Sequence, residues 1–316
     1  MPTPIRLSAS EMLGHAGHIR LLKTGCPHLD AFLGGGIDTN GITEIAGEAG
    51  AGKTQLALQL TLQAQLPPAE GGLGGGAVYL YGGTANVEPA LRRLHQLADA
   101  FAQRHWRVQA DCELLKNNVF VLQIEDPDDL WRTVSERVPA LLGQHSVRLL
   151  VIDSIGGVYR GQDEESAQSA RAMHGQRAQQ LLRLAAKLKE LAHKFDIATV
   201  VLNQVVDKPS DGQNRRTAAP WELGACGTPD GSMRVPALGL AWSSCVNTRL
   251  VLTRRAASAL MAESGAGAPY DSMWRRHLHV AFSPRLPMGA EAPFWVREEG
   301  VVGAVAASGR EVMTSC

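Results

Sequence analysis

The chain carries no net charge: Lys+Arg and Asp+Glu each number 31 among its 316 residues. That balance excludes a global field drawing the protein onto nucleic acid, so any polyanion must be met by a local basic surface. Paired cysteines are missing too. The five cysteines (Cys26, Cys112, Cys226, Cys245 and Cys316) are scattered, with no CxxC pair and no His at metal-ligand spacing. This argues against a disulfide framework or a zinc site and fits a reducing compartment; Cys112 and Cys245 read as buried and inert. The opening residues, MPTPIRLSAS, contain no apolar signal core, and no uninterrupted apolar run approaches membrane-spanning length. The expectation is a soluble intracellular protein. Internal repeats are also lacking.

What is present is strongly patterned from Leu29 onward. Residues 1–20 mix Pro, Ser, His and Gly without a period and read as a flexible N-terminal arm, leaving residues 21–316 as a single core. LDAFLGGGI ends a short helix in three glycines, and GITEIAG follows as a buried strand. AVYLY, VFVLQI, RLLVID, ATVVLNQV and RLVLTR are further strand-like runs. Residues 89–104 space their apolar side chains at three and four with Pro in the first turn, which predicts a helix. Between RLLVID and ATVVLNQV, Leu181, Leu184, Leu188, Leu191 and Phe195 share one face of a long amphipathic helix. Arg183, Lys187, Lys189 and Lys194 lie mostly elsewhere on it, as a solvated face would. HLHVAFSPRLP and APFWVREEGVVGAV predict a strand, a turn and a closing hairpin. Strands alternating with helices define an α/β protein: a mostly parallel twisted central sheet with helices on both faces and a C-terminal β-hairpin. Residues 206–235 are crowded with turn formers and have no period, which predicts a flexible functional loop.

Between GITEIA and QLALQL stands GEAGAGKT, residues 47–54. Gly47, Gly50, Gly52, Lys53 and Thr54 match G-x-x-x-x-G-K-[ST], with Glu48, Ala49 and Ala51 completing the loop. The glycines let backbone N–H groups converge on phosphate oxygens at a helix N-terminus whose dipole favours an anion. Lys53 supplies a point charge for the outer phosphates, and the Thr54 hydroxyl is placed to ligate magnesium. A magnesium site also needs a carboxylate where a neighbouring buried strand emerges, and RLLVIDS supplies Asp153. A strand–loop–helix setting is what the mechanism requires, so a nucleoside triphosphate with Mg2+ is expected here.

The ordered set TGCPHLDAFLGGGI, GITEIAGEAGAGKTQLALQL, RLLVIDS and VVLNQV resembles the RecA-type recombinases of the eukaryotic and archaeal kind. Within them, LPPAEGGLGGGAVYL, RRLHQL, VPALGLAWSSCVNTRL and HVAFSPRLP are similar to a recombinase paralogue of the X-ray-repair type. The resemblance covers roughly residues 20–305. It implies a RecA-like fold, ATP with Mg2+, and a nuclear protein that binds single-stranded or junction DNA and serves homologous recombination. Implied partners are another recombinase paralogue, the "C" paralogue, and the main strand-exchange recombinase. Residue by residue, it assigns Lys53 and Thr54 to phosphate and magnesium, Asp153 to magnesium through water, and Gln204 to sensing the terminal phosphate. An amide at a strand's end has the hydrogen bonds for that last role. Tyr159 and Arg160 fall where the first DNA loop of the family begins, and Arg215, Arg216, Trp221 and Arg234 belong to the second. Arginine on phosphate and aromatic stacking on bases suit a single strand, although Asp163, Glu164, Glu165 and Asp211 leave the patch only weakly basic.

Two departures matter. Where active members carry a catalytic glutamate after the second strand, VYLYGGTANVEP places Gly83, and Glu88 is the nearest substitute base. Losing a positioned base costs about two to four orders of magnitude in rate, so tight ATP binding with weak hydrolysis is expected. In addition, about twenty unpatterned N-terminal residues are too few for the family's extra helical DNA-binding domain, and they contain no Phe-x-x-A polymerisation hook. The expectation is therefore a heterodimeric accessory factor. Alternatives are a DNA-dependent ATPase that exchanges strands itself and an ATP-switched scaffold without DNA contact. A small-molecule kinase would need an arginine lid and a substrate-hydroxyl base, and neither is evident.

Overall fold

The computed structural model describes residues 20–83, 86–105, 111–159, 167–207, 226–227, 233–256, 274–307 and 310–313. Most of the expected N-terminal arm and of the 206–235 loop therefore lies outside the described residues. The first strands, β1 (Leu21–Leu22) and β2 (Ile37–Asp38), pair antiparallel around α1 (Pro27–Phe32). Next come β3 (Ile42–Gly47), α2 (Lys53–Gln63), β4 (Gly76–Gly82), α3 (Glu88–Arg104), α4 (Cys112–Asn117) and β5 (Val119–Ile124). α5 (Pro127–Arg132) continues through a π-helical turn, Thr133–Arg137, into α6 (Val138–Gln144) and leads to β6 (Val147–Asp153). α7 (Ile155–Val158), α8 (Ala167–Phe195) and β7 (Ala198–Asp207) follow, then β8 (Cys226–Gly227), β9 (Met233–Pro236), α9 (Gly239–Ser243) and β10 (Thr248–Ala256). The chain closes with β11 (Trp274–Phe282), β12 (Glu291–Arg297), β13 (Gly300–Ala307) and β14 (Arg310–Met313).

The main sheet runs β14-β13-β12-β11-β10-β3-β7-β6-β4-β5. From β10 to β5 every neighbouring pair is parallel, and β11 to β14 add an antiparallel meander. The α/β reading holds, and the expected closing hairpin is the β12–β13 part of that meander. Alternation in the central strands sorts side chains onto the two faces with period two. Ala77, Tyr79, Leu149 and Val151 join one apolar cluster with α2 and α3, whereas Val78, Leu80, Leu150 and Ile152 join the other with α8. Leu181, Leu184, Leu188 and Leu191 are buried there, as their spacing predicts.

One charged residue interrupts this apolar centre. Glu44 of β3 is fully buried and ion-paired with Arg249 of β10, itself 1% exposed. Glu44 Oε1 also accepts from Asn203 Nδ2 of β7 (2.7 Å) and from Trp242 Nε1 of α9 (3.0 Å). Arg249 donates to Ser243 Oγ (2.9 Å) and lies over the Phe282 ring. A buried charge is tolerated only when paired and hydrogen-bonded in this way. The network stitches three adjacent parallel strands to α9. Arg249→Ala strands the Glu44 carboxylate and is expected to lower stability by about 3–5 kcal/mol. Glu44→Gln, which keeps an acceptor for Asn203 and Trp242, should cost less. Urea denaturation of the three proteins measures both, and a loss below about 1 kcal/mol for Arg249→Ala would contradict the assignment.

Candidate nucleotide site

The site forms at the C-terminal edge of the parallel strands, where ligands of open α/β sheets collect. Register fixes its parts: Gly47 at the end of β3 pairs with Gln204 of β7, and Tyr81 of β4 pairs with Asp153 of β6. Residues 47–54 turn from β3 into α2, with Gly50 (φ +74°) and Gly52 (φ +100°) in left-handed conformations that favour glycine. At Gly47 the constraint is space, since an added Cβ would sit 2.4 Å from Leu252 O. No side chain caps α2, so its first-turn amides remain directed at the concavity. Lys53 arches over the loop, its Nζ donating to Gly47 O and Glu48 O, both at 2.8 Å. Burial pulls the Lys53 pKa below the usual lysine value, while the carboxylates of Asp153 and Glu48 act against that shift.

Thr54 Oγ1 donates to Asp153 Oδ2 at 2.7 Å, and the Tyr79 hydroxyl donates to the same oxygen at 2.5 Å. Burial, and then the neighbouring Asp153 charge, holds the Tyr79 pKa well above the usual tyrosine value. Tyr79 thus serves as a fixed donor that aims the carboxylate. Gln204 is positioned from behind: its backbone N–H donates to Asn203 Oδ1 (2.8 Å), while the Asn203 amide is anchored on Glu44 and on Ala237 O. Thr54, Asp153 and Gln204 line a cleft of ≈ 460 Å³ together with Tyr81, Gly83, Asn86 and Arg93. A second concavity on the other side of Thr54 and Gln55 is lined by Gly50, Gly52, Lys53, Arg93, Arg276 and Arg297. Ammonium, uncapped helix amides, and a hydroxyl backed by a carboxylate form a donor set that suits a triphosphate and a hard, partly hydrated Mg2+.

Other expected residues sit differently. Gly83 follows β4 with φ +107°, its N–H donating to Ile124 O (3.1 Å), and a Cβ there would meet nothing closer than Gly157 O at 3.9 Å. Glu88, expected as the nearest substitute base, sits apart from that place. It stands in the first turn of α3, its side chain 56% exposed and ion-paired with Arg92 (2.5 Å), and it is not among the residues lining the cleft. Tyr159, expected on a DNA loop, is instead 1% exposed, packed in the α8-side core with Arg177 over its ring. Burial pushes its hydroxyl pKa up to about 12. Arg234, expected on the same surface, is ion-paired with Glu48 of the phosphate loop. Arg160, Arg215 and Arg216 lie outside the described residues. Cys245 is buried as expected, but Cys112 is only half-buried, its thiol donating to Asp99.

Tyr79, Asn86 and Arg93 escaped the sequence reading. Arg93 bridges the helix α3 side of the cleft to Gln55 Oε1 (2.8 Å) and to the backbone carbonyls of Arg297 and Glu298. A tyrosine in the middle of an aliphatic parallel strand was the available signal, because its hydroxyl must find a partner.

Comparison with known proteins agrees with this arrangement. The family model named Rad51 matches residues 16–223, more than half of the chain. The chain is 32% identical over 320 residues to the DNA repair protein XRCC3 homolog of Arabidopsis thaliana, covering 94% of this chain and 97% of that protein. It is 36% identical to DNA repair protein XRCC3 of Bos taurus (95% and 84% covered) and 31% identical to DNA repair protein rhp57 of Schizosaccharomyces pombe (81% and 73%). The chain belongs to the Rad51 family of RecA-type proteins. Within it, the chain is an XRCC3-like paralogue.

Because Glu88 is solvated and held by Arg92, Glu88→Ala is expected to leave ATP turnover within about twofold of wild type. Asp153→Asn should instead weaken Mg2+-dependent nucleotide binding. Steady-state phosphate release and titration with a fluorescent ATP analogue distinguish the two; a loss of turnover in Glu88→Ala alone would restore Glu88 as the base.

Proposed function

We propose that this Rad51-family chain acts in DNA repair by homologous recombination as a nucleotide-binding accessory factor that hydrolyses ATP weakly. One observation carries the weak-hydrolysis part: among the described residues lining the cleft, Asp153 is the only carboxylate, and its Oδ2 already accepts from Thr54 and Tyr79. A carboxylate held for metal coordination is not free to take a proton from water, and the side chain at position 83 is absent altogether. The family relationship supports the recombination role, since the relatives are DNA repair proteins.

In this reading Lys53 and the α2 amides hold the phosphates, Thr54 and Asp153 hold Mg2+, and Gln204 reads the terminal phosphate. A Mg2+ ion held by these residues would supply neutralisation of the phosphate charge. Gln204 lies near the end of β7, the strand that leads toward the segment after Asp207, so a change in its hydrogen bonds is passed along the backbone. Burial of Tyr159 and engagement of Arg234 leave Arg160, Arg215 and Arg216 as the residues proposed to meet single-stranded or junction DNA. Sites between protomers are the rule where RecA-type cores stack, so the nucleotide acts as a joint with another recombinase paralogue, and slow hydrolysis keeps the joint closed.

The test is co-purification with recombinase paralogues in the presence and absence of Mg2+–ATP. Complex recovery is expected to rise with Mg2+–ATP and with a non-hydrolysable analogue, and to fall about tenfold or more for Lys53→Ala. Recovery indifferent to both nucleotide and Lys53→Ala would refute the joint, and DNA-stimulated turnover at recombinase rates would refute weak hydrolysis.

A further inference from the structure

The second residue of the phosphate loop is an acid. Glu48 sits in a loop whose other groups converge on where a polyanion belongs, and a bare carboxylate there opposes binding through space. Two elements engage it. Glu48 Oε1 accepts the backbone N–H of Arg254, at the end of β10, at 3.0 Å, and Glu48 Oε2 meets Arg234 Nη1 at 2.5 Å. Both side chains of the ion pair are about three-tenths exposed, so the pair sits at the rim of the loop rather than in the core. Arg234 belongs to β9, where it pairs with Asp207 at the end of β7 on one side and with Cys226 of β8 on the other. One guanidinium therefore bridges the phosphate loop and the short hairpin that follows the segment beyond β7.

We propose that Arg234 is a positioning residue for nucleotide binding: it neutralises Glu48 and thereby ties the β8–β9 hairpin to the phosphate loop. This rests on the nucleotide-binding reading above and adds a direct charge contact, separate from the Gln204 route, between the phosphate site and the chain after β7. With Arg234 in place the loop presents Lys53 and the α2 amides to phosphate while the acid is turned aside and paired. Without it, the Glu48 charge remains close to the triphosphate. Because linkage is reciprocal, whatever the pair contributes to nucleotide binding, bound nucleotide returns to the hairpin.

The experiment uses the full chain and a fluorescent ATP analogue with Mg2+. Arg234→Ala is expected to weaken binding about tenfold at low salt, and less at high salt as screening shortens the range of the Glu48 charge. Arg234→Lys should retain most of the affinity. The deciding variant is Glu48→Gln/Arg234→Ala: removing the offending charge is expected to restore affinity to within about threefold of wild type. Hydrogen exchange at the Met233–Val235 amides of β9 should slow on nucleotide addition in the wild type but not in Arg234→Ala. Affinity unaffected by Arg234→Ala overturns the proposal. So does a double variant as weak as the single one, which would mean that Arg234 touches phosphate itself. A wild-type chain that does not bind the analogue overturns the nucleotide site as a whole.

Discussion

A carboxylate and a guanidinium with no access to water hold the centre of this protein in register. Glu44 lies on β3, the phosphate-loop strand, Arg249 on its neighbour β10, and Asn203 of β7 closes the third side. Apolar residues could fill the same volume, but they would not dictate which residue of β7 stands opposite which residue of β3. A hydrogen-bonded buried pair does, because any slip of one residue would leave charges unsatisfied. The functional edge inherits that register. Gly47 comes level with Gln204 and Asp153 with Tyr81 near the end of β4, and Asn203 hands its remaining oxygen to the Gln204 amide.

The same economy of contacts runs through the rim of the site. Tyr79 orients Asp153, Asp153 orients Thr54, and Lys53 folds back on the carbonyls of its own loop. Each of these groups is held by a neighbouring side chain or carbonyl. Preorganisation of this kind favours holding a ligand, because little has to be ordered on arrival. It supplies nothing that would draw a proton from water.

Much of this was legible in the sequence. The setting of GEAGAGKT between a strand and a helix, and of Asp153 at the end of RLLVID, was legible because both follow from local order. The leucine spacing at 181–191 located the α8 face for the same reason. The helices over 127–144 were not read out, although Asp126 followed by Pro127 is a capping signal: the Asp126 carboxylate accepts the Asp129 N–H at 2.7 Å. The burial of Tyr159 and the ion pair of Arg234 were not legible, because tertiary contact decides both. Arg234 is separated from Glu48 by 186 positions, and no local pattern announces such a pair. Glu44 was the better clue, since an acid inside GITEIAG requires a distant base, and TRLVLT contains one.

Gly83 constrains what mutation can supply. Its surroundings leave room for a side chain, with nothing nearer than 3.9 Å from where a Cβ would lie, yet its φ of +107° belongs to a conformation that residues other than glycine rarely adopt. A mutation supplying glutamate at this codon would gain the functional group and strain the turn that must carry it. A glutamate at this position therefore demands that the turn after β4 be rebuilt along with the side chain. Point mutation alone gives no short way to a carboxylate here.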